Sequence, residues 1–211
     1  FPEYTPVFGN LGSMGGLRTL RQGLCHLATS HLADENFHDF NFSQAEATLE
    51  NPPAVVNFCR REQGLILAKG NPRNIQSMAS LAQGDLRLVN RSANTGTRLW
   101  FDRTLRSWTS EPEQIPGYEH EVQRHLDVGL EVLSGRADCG PGIRAVASLL
   151  DLDFLPSHWE RFDLLIAKKR FFEPAIQDFL TVMSSDDFNS LASQVSGYDL
   201  SLSGKIIHPA S

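Results

Sequence analysis

The most informative segment of the sequence is residues 88–101, Leu-Val-Asn-Arg-Ser-Ala-Asn-Thr-Gly-Thr-Arg-Leu-Trp-Phe. Its apolar beginning predicts a buried strand, the small polar residues predict a turn, and the residues after Thr95 predict the start of a helix. A helix start leaves about four backbone N–H groups without intrahelical partners, at the positive end of the helix dipole. Because small residues let an anion approach those groups, we predict an anion-binding site in this clamp segment.

The side chains of the clamp segment strengthen this prediction. It offers hydroxyl donors, a glycine that leaves the backbone open, and positively charged guanidinium groups, and these residues are Ser92, Thr95, Thr97, Gly96, Arg91 and Arg98. The alternative is a structural turn, in which Thr95, Gly96 and Thr97 cap the helix and the two arginines pair with carboxylates on the surface. The segment lacks the Gly-Lys-Ser/Thr ending of a P-loop, which argues against nucleotide hydrolysis.

The composition of the 211 residues is that of a globular protein. Hydrophobic residues make up 41% of the chain, enough for one domain of two lobes or for two small domains. A formal net charge of −6 argues against a nucleic-acid surface spread over this chain, so an anion site has to be local. Cys25, Cys59 and Cys139 show neither a CxxC pair nor metal-ligand spacing, which predicts reduced thiols in a cytoplasmic protein. We expect no metal ion and no cofactor.

The ends of the chain carry no targeting signal that we recognise. There is no apolar run of roughly 18 residues, and the start, Phe-Pro-Glu-Tyr, lacks a charged region followed by an apolar one. We therefore expect no membrane span, no signal peptide and no membrane partner. The chain begins without Met, close to a strand predicted over residues 5–8, so we expect residues or a whole domain to precede Phe1 in the native protein.

Other strand ends and turns offer further ligand positions. Residues 10–16, Asn-Leu-Gly-Ser-Met-Gly-Gly, lead into a predicted helix. Gly140-Pro-Gly142 leads from a predicted strand into a second predicted helix. Ser30 lies near the carboxyl end of the strand predicted over 24–31. Because ligands of open α/β sheets bind outside the carboxyl ends of the strands, these turns and this strand end are candidate binding positions.

Longer helices are predicted further along the chain. The helix over residues 118–134 has an apolar stripe with the spacing of one helix side, formed by Val122, Leu126, Gly129 and Leu133, and His125 lies beside it. Two more helices are predicted over 174–183 and 186–195, and Ser185 caps the second. The residues after Gly197 are predicted to form a loose tail.

Two hexapeptides with the same pattern bracket the middle of the chain. Gly64-Leu-Ile-Leu-Ala-Lys69 and Asp163-Leu-Leu-Ile-Ala-Lys168 share three aliphatic residues, an alanine and a lysine. We interpret them as two equivalent strands, each preceded by a separate strand, at 55–60 and at 153–155. Chance similarity between β-rich hexapeptides is the alternative.

Six motifs occur in one order along nearly the whole chain. They are Gly-Ser-x-Gly-Gly-Leu at 12–17, Arg-x-Gln-Gly-Leu at 61–65, Gly-Asn-Pro at 70–72, Val-Asn-Arg-x-x-x-x-Gly-Thr-Arg at 89–98, Gly-Tyr-x-x-Glu at 117–121, and Gly-Arg-Ala-Asp-x-Gly at 135–140. With these motifs the chain resembles the periplasmic-binding-protein-like domain. The closest resemblance is to the intracellular kind, which is fused to helix-turn-helix DNA-binding domains or to molybdopterin-biosynthesis proteins.

The resemblance implies an α/β fold of the type II class, in which two crossing strands join two lobes and the ligand is closed between them. The matched hexapeptides would be the crossing strands. Lobe I would then be residues 1–68 plus 168–211, and lobe II would be residues 69–167. The family's first strand and helix would precede Phe1, so lobe I would be incomplete in this chain.

The resemblance also implies a ligand set. Relatives that bind molybdate or tungstate hold a tetrahedral oxyanion with hydroxyl groups and helix-start N–H groups. At the matching positions these are Ser13 and Met14 in lobe I, the six named residues of the clamp segment in lobe II, and in addition Ser30 and Gly142. Tyr118 and His125 join them if the long helix points its start at the ligand. For His125, a packed core histidine is the alternative.

The resemblance implies that this chain is the ligand-binding sensor domain of a cytoplasmic transcriptional regulator. A small oxyanion, molybdate or tungstate, would favour lobe closure, and a DNA-binding domain outside this chain would respond. The resemblance is also compatible with a homodimer. The alternatives are the solute-binding protein of an oxyanion transporter and a domain that acts on a molybdopterin precursor. Because no Ser-His-Asp order or paired-carboxylate pattern stands out, we expect no enzyme.

Overall fold

In the computed structural model, which describes residues 4–33, 40–83, 85–93 and 95–208, the chain divides into two compact units. The first unit comprises Phe1–Arg60 and Glu160–Ser211, and the second comprises Arg61–Trp159. Both boundaries lie earlier in the chain than the predicted lobe boundaries. Among the described residues, no helix is long and apolar enough to cross a membrane.

Two long strands connect the units. They are β2 (Ala54–Leu67) and β6 (Asp153–Ile166), and they are hydrogen-bonded neighbours in one sheet. The prediction of separate strands at 55–60 and at 153–155 is wrong, because each continues into its hexapeptide strand without a turn. The polar residues that suggested a break in β2 stay within the strand, where Gln63 is 1% exposed.

The first unit packs helices against strands at the two ends of the chain. In addition to its parts of β2 and β6, its elements are α1 (Gly12–Arg21), β1 (Leu27–Ser30), α2 (Phe42–Thr48), α6 (Pro174–Met183), α7 (Asp186–Ser193) and β7 (Tyr198–Asp199). Strand β1 runs antiparallel to β6, with Ser30 opposite Asp163, and β7 pairs with β2. Leu17 and Leu165 are fully buried in a core of this unit.

Two predictions for the first unit are wrong. Residues 5–8 form no strand, and Val7 and Phe8 are 91% and 87% exposed, because no strand among the described residues pairs with them. The C-terminal segment is not a loose tail. It contains β7, and the N–H of Ile207 donates to the carbonyl oxygen of Val55 at 2.8 Å, so backbone pairing holds it against β2.

The second unit contains the clamp segment. In addition to its parts of β2 and β6, its elements are β3 (Asn90–Arg91), α3 (Gly96–Arg106), β4 (Glu121–Val122), α4 (His125–Leu133), β5 (Cys139–Ile143) and α5 (Arg144–Leu149), with 3-10 turns at Met78–Gln83 and Pro112–Gln114. Strand β5 runs antiparallel to β2, and β3 runs parallel to β4. The predicted order of strand, polar turn and helix in the clamp segment is confirmed.

The long helix predicted over residues 118–134 is wrong. Its first part contains β4, whose parallel pairing with β3 gives the backbone hydrogen bonds to a neighbouring strand instead of to a helix. The helix that follows turns Val128 and Val132 into the core, whereas Leu126 and Leu133 of the predicted stripe are 38% and 54% exposed.

The turn predicted at Gly140-Pro-Gly142 is also wrong, because these residues form the middle of β5. A Cβ atom on Gly140 would lie 2.6 Å from the carbonyl oxygen of Val89 and 2.7 Å from its side chain. The glycine therefore permits close approach of neighbouring backbone within the second unit.

Candidate functional site

The start of α3 has the geometry of a capped helix. The Thr95 hydroxyl accepts a hydrogen bond from the N–H of Arg98 at 3.2 Å and donates one to the carbonyl oxygen of Ser92 at 2.9 Å. The N–H of Leu99 donates to the carbonyl oxygen of Thr95. The N–H groups of Gly96 and Thr97 then remain as the helix-start donors without an acceptor inside the helix. The Thr95 hydroxyl thus caps the helix, whereas the backbone N–H groups of Gly96 and Thr97 remain available to another acceptor.

Thr97 connects the start of α3 to the sheet of the second unit. Thr97 is 1% exposed, and its hydroxyl oxygen accepts a hydrogen bond from Nε2 of Gln63 at 3.1 Å. Gln63 lies in β2, opposite Ile143 of β5. Among the described residues no acceptor takes the Thr97 hydroxyl proton, so this proton is available to a ligand. Sequence reasoning missed Gln63, because only folding brings it to the clamp segment.

Arg98 is held by carboxylates inside the second unit. Its Nε donates to Asp102 at 2.8 and 2.9 Å, and its Nη1 donates to Glu121 Oε1 at 2.7 Å and to the carbonyl oxygen of Arg91 at 3.0 Å. The Arg98 side chain is only 5% exposed. Pairing with carboxylates is what the structural alternative predicts, but the pair is buried rather than on the surface. The formal charges of Asp102 and Glu121 together exceed the single positive charge of this guanidinium.

Tyr118 completes this cluster. Its hydroxyl donates to Oδ1 of Asp102 at 2.8 Å, and the Arg98 guanidinium lies over its ring, 4.5 Å from the centroid. Burial raises the pKa of Tyr118, and the hydrogen bond to Asp102 raises it further, so the hydroxyl stays protonated at neutral pH. Tyr118 lies before β4 and not at a helix start as predicted. The i,i+4 spacing of Arg98 and Asp102 on a helix is the sequence signal that could have identified part of this cluster.

The remaining predicted residues of the second unit are Arg91 and Ser92 of the clamp segment, and His125 and Gly142 outside it. The Ser92 hydroxyl makes a long contact of 3.4 Å to the carbonyl oxygen of Val122. Arg91 in β3 is 7% exposed, and its Nη2 donates to the carbonyl oxygen of Gln123 at 2.8 Å. His125 is the first residue of α4, and its Nδ1 lies 3.9 Å from where a Cβ on Gly142 would be. His125 and Gly142 are therefore neighbours.

In the first unit, Ser13 and Met14 lie in the first turn of α1. Ser13 is 8% exposed, and its Oγ lies 3.1 Å from Nδ1 of His31 and 3.3 Å from the backbone nitrogen of His31. Met14 packs its side chain against the core around Leu17. Ser13 thus places a hydroxyl at a helix start, as predicted, whereas the side chain of Met14 contributes to packing.

Ser30 ends β1 in a fully buried position. Its hydroxyl has no hydrogen-bond partner within the described part of the chain. Across the strand pair lies Asp163, also fully buried, whose carboxylate accepts hydrogen bonds from Asn41, Asn57 and Arg161 at 2.9, 2.8 and 2.7 Å. Burial raises the pKa of Asp163, although the Arg161 charge and the three donors oppose the shift. Sequence reasoning missed this network.

A scan against protein-family models matches residues 1–184 to the PBP superfamily domain. The chain belongs to the PBP superfamily. The α/β, two-lobed fold expected from the sequence is thereby confirmed, and the family and its structural neighbours are binding proteins.

A curated relative of this PBP-superfamily chain is the "Uncharacterized protein YvgK" of Bacillus subtilis, which is 31% identical over 206 residues. The match covers 97% of this chain but 66% of that protein, so the chain spans just under two thirds of the relative's length.

Solved structures share the fold at low sequence identity. A candidate phosphate ABC transporter substrate-binding protein of Clostridium perfringens with bound phosphate has a TM-score of 0.66 at 13% identity, covering 92% of this chain and 86% of that one. An ABC-type phosphate transport receptor from Vibrio cholerae has a TM-score of 0.59 at 14% identity, with coverage of 99% and 90%. At these identities the similarity shows the fold alone.

Proposed function

We propose that this PBP-superfamily chain binds a small oxyanion and that the start of α3 supplies donors to it. The observation that carries the proposal is the set of donors around Thr97. The N–H groups of Gly96 and Thr97 have no acceptor inside the helix, and the Thr97 hydroxyl proton has none among the described residues. All three donors lie at the positive end of the dipole of an 11-residue helix.

Neutral donors suit a fully ionised oxyanion. Because Arg98 is paired with Asp102 and Glu121, the donors at the start of α3 are hydroxyl and N–H groups rather than a free guanidinium. Hydrogen bonds from such groups to a charged acceptor contribute about 1.5 to 3 kcal/mol each. Ser13, at the start of α1 in the first unit, is the further hydroxyl that the sequence resemblance suggests as a ligand.

The proposed ligands are molybdate and tungstate, which the sequence resemblance favours. Phosphate is the alternative, because similar folds are those of phosphate-binding transport proteins. We propose further that the chain is a sensor domain of a cytoplasmic regulator, and that anion binding changes the DNA binding of a domain outside this chain.

The second candidate function is that of a solute-binding protein which delivers an oxyanion to a transporter. The fold similarity to phosphate transport receptors favours it. The full-length protein separates the two functions. A regulator shifts its promoter DNA in a gel when molybdate is added or removed, whereas a transport protein leaves DNA free and restores anion uptake by vesicles that contain the permease.

Thermal unfolding in the presence of molybdate, tungstate, phosphate and sulfate tests the ligand class. A ligand that binds only the folded protein stabilises it by RT ln(1 + [L]/Kd), about 2.7 kcal/mol when its concentration is a hundred times Kd. We expect at least one of these anions to raise the unfolding midpoint in a concentration-dependent way. If none does at millimolar concentration, the proposal fails.

A pair of matched variants tests the position of the site. Thr97→Val removes the hydroxyl at the start of α3 and preserves the side-chain shape, so we expect anion affinity to fall by about tenfold or more. Thr104→Val is the control, because Thr104 lies on the same helix and, among the residues that the structure describes, its hydroxyl bonds only the carbonyl oxygen of Trp100. Equal affinities of the two variants would place the anion elsewhere.

A further inference from the structure

His31 contacts the one hydroxyl that lies at the start of α1. The Ser13 Oγ lies 3.3 Å from the backbone nitrogen of His31, which donates to it, and 3.1 Å from Nδ1 of the ring. The ring stacks on Phe162 of β6, with centroids 5.5 Å apart and an interplanar angle of 29°. The stacking and the backbone hydrogen bond fix the position of Nδ1 relative to Ser13.

A second feature points to a ligand at this helix start. Ala28 of β1 faces α1, because a Cβ on Gly16 would lie 3.1 Å from the Cβ of Ala28. Side chains two residues apart on a strand point to the same side, so Ser30 also faces α1. Its hydroxyl is fully buried and has no partner among the residues that the structure describes. A buried hydroxyl without a partner is costly, and a bound ligand oxygen would satisfy it.

The proton count at Ser13 gives two states. A serine hydroxyl has one proton and two lone pairs, and the His31 N–H occupies one lone pair. When Nδ1 carries a proton, it donates into the second lone pair, and the Ser13 proton is free to point at an anion. When Nδ1 has no proton, it accepts the Ser13 proton, and the hydroxyl can present only a lone pair to an anion, which repels it.

We propose that His31 is a positioning residue that decides whether Ser13 donates a hydrogen bond to an oxyanion at the start of α1. The inference rests on the proposed oxyanion-binding function and adds its regulation. The protonated ring always has a proton on Nδ1, whereas the neutral ring has it there in only one of its two tautomers, so anion binding and His31 protonation favour each other. Affinity falls as pH rises, by at most about tenfold per pH unit for one coupled proton.

Among the described residues, the side chains beside the contacts of His31 lie on three elements, β6, α1 and β2. On β6, Phe162 lies between Arg161 and Asp163, which pair with each other at 2.7 Å. The first turn of α1 contains no acidic residue. The basic residues in the last turn of this helix are Arg18 and Arg21. On β2, the contact to Phe162 comes from the uncharged Phe58.

Sulfate affinity measured calorimetrically between about pH 5 and pH 8 tests the coupling, because a histidine ring changes its charge in this range while sulfate stays ionised. We expect the native protein to bind sulfate more tightly at the acidic end. His31→Asn keeps a side chain that can bond Ser13 but does not titrate, so its affinity changes much less with pH. His26→Asn, which changes an exposed histidine before β1, retains the native profile. A native profile in His31→Asn overturns the proposal.

Nitrogen-15 shifts of the His31 ring provide a test that does not need a ligand. In the absence of any anion, Ser13→Ala removes the partner of Nδ1, so we expect the ratio of the two neutral tautomers to change. Added sulfate then shifts the native ring toward the form with a proton on Nδ1 and has no such effect in Ser13→Ala. If no anion binds, the proposed function fails, and the ligand-free tautomer ratio still decides the role of His31. An unchanged ratio refutes the contact on which the inference depends.

Discussion

Replacement of Arg98 by methionine should destabilise the protein, because it leaves two partly buried carboxylates without their partner. Methionine keeps the apolar stem but removes the guanidinium that donates hydrogen bonds to Asp102 and Glu121. Removing one partner of a buried ion pair costs about 3 to 5 kcal/mol, because the other charge stays desolvated. Here the carboxylate side chains are 24% and 35% exposed, so water recovers part of that cost. We expect a loss of about 2 to 4 kcal/mol.

Urea unfolding of the ligand-free protein measures this loss as a lower midpoint at unchanged slope. Arg106→Met is the matched control, because Arg106 lies on the same helix in an ion pair with Glu113 whose side chains are 57% and 49% exposed. That change should cost about 0 to 1 kcal/mol. A second change, Glu121→Gln in the Arg98→Met protein, should recover stability, since it removes one unpaired carboxylate. Equal losses in Arg98→Met and Arg106→Met would refute the reasoning.

Three further predictions concern other parts of the second unit. Gly117 has φ +83°, and a Cβ there would overlap the carbonyl oxygen of Leu88, so Gly117→Ala should lower the free energy of unfolding in urea by more than about 3 kcal/mol. Gly135→Ala is the control, at φ +71° in open space, and should lower it by about 1 to 2 kcal/mol. A hydrogen bond from Arg136 holds the pKa of Glu131 below its ordinary value of 4.5, so its contribution is present at neutral pH and is lost as the pH falls through the folded-state pKa. Glu131→Gln should therefore reduce the acid sensitivity of unfolding, and an unchanged profile would contradict this assignment. Burial raises the pKa of Cys139 to about 12, so thiol reagents should leave it unmodified in the folded protein, as mass spectrometry would show; rapid modification at neutral pH would contradict its burial.

Local signals in the sequence predicted several elements well. The helix predicted over 174–183 is α6, and Ser185 caps α7 by accepting the N–H of Phe188. The start of α3 at Gly96 also lies where the polar turn predicts it. Caps and periodicity act within a few residues of the chain, so they can be recognised without knowledge of the fold.

The errors occur where distant segments compete for the same backbone. Residues 121–122 pair with β3 and do not continue a helix, and the C-terminal segment pairs with β2. Gly140 and Gly142 of β5 suggested a turn, but Gly140 allows close packing against Val89 and Gly142 against Ile66. In each place the deciding partner is remote in sequence, and neither periodicity nor turn chemistry contains information about it.

By itself, the sequence determined the class of fold and a donor-rich helix start after Thr95, because apolar periodicity and helix-start chemistry are properties of neighbouring residues. Only the tertiary structure decided which donors stay available. It gives Arg98 to Asp102 and Glu121, spends the Thr95 hydroxyl on capping, and brings Gln63 to Thr97. A polar group is free or occupied according to its neighbours in space, and two of the deciding neighbours, Glu121 and Gln63, are distant along the chain.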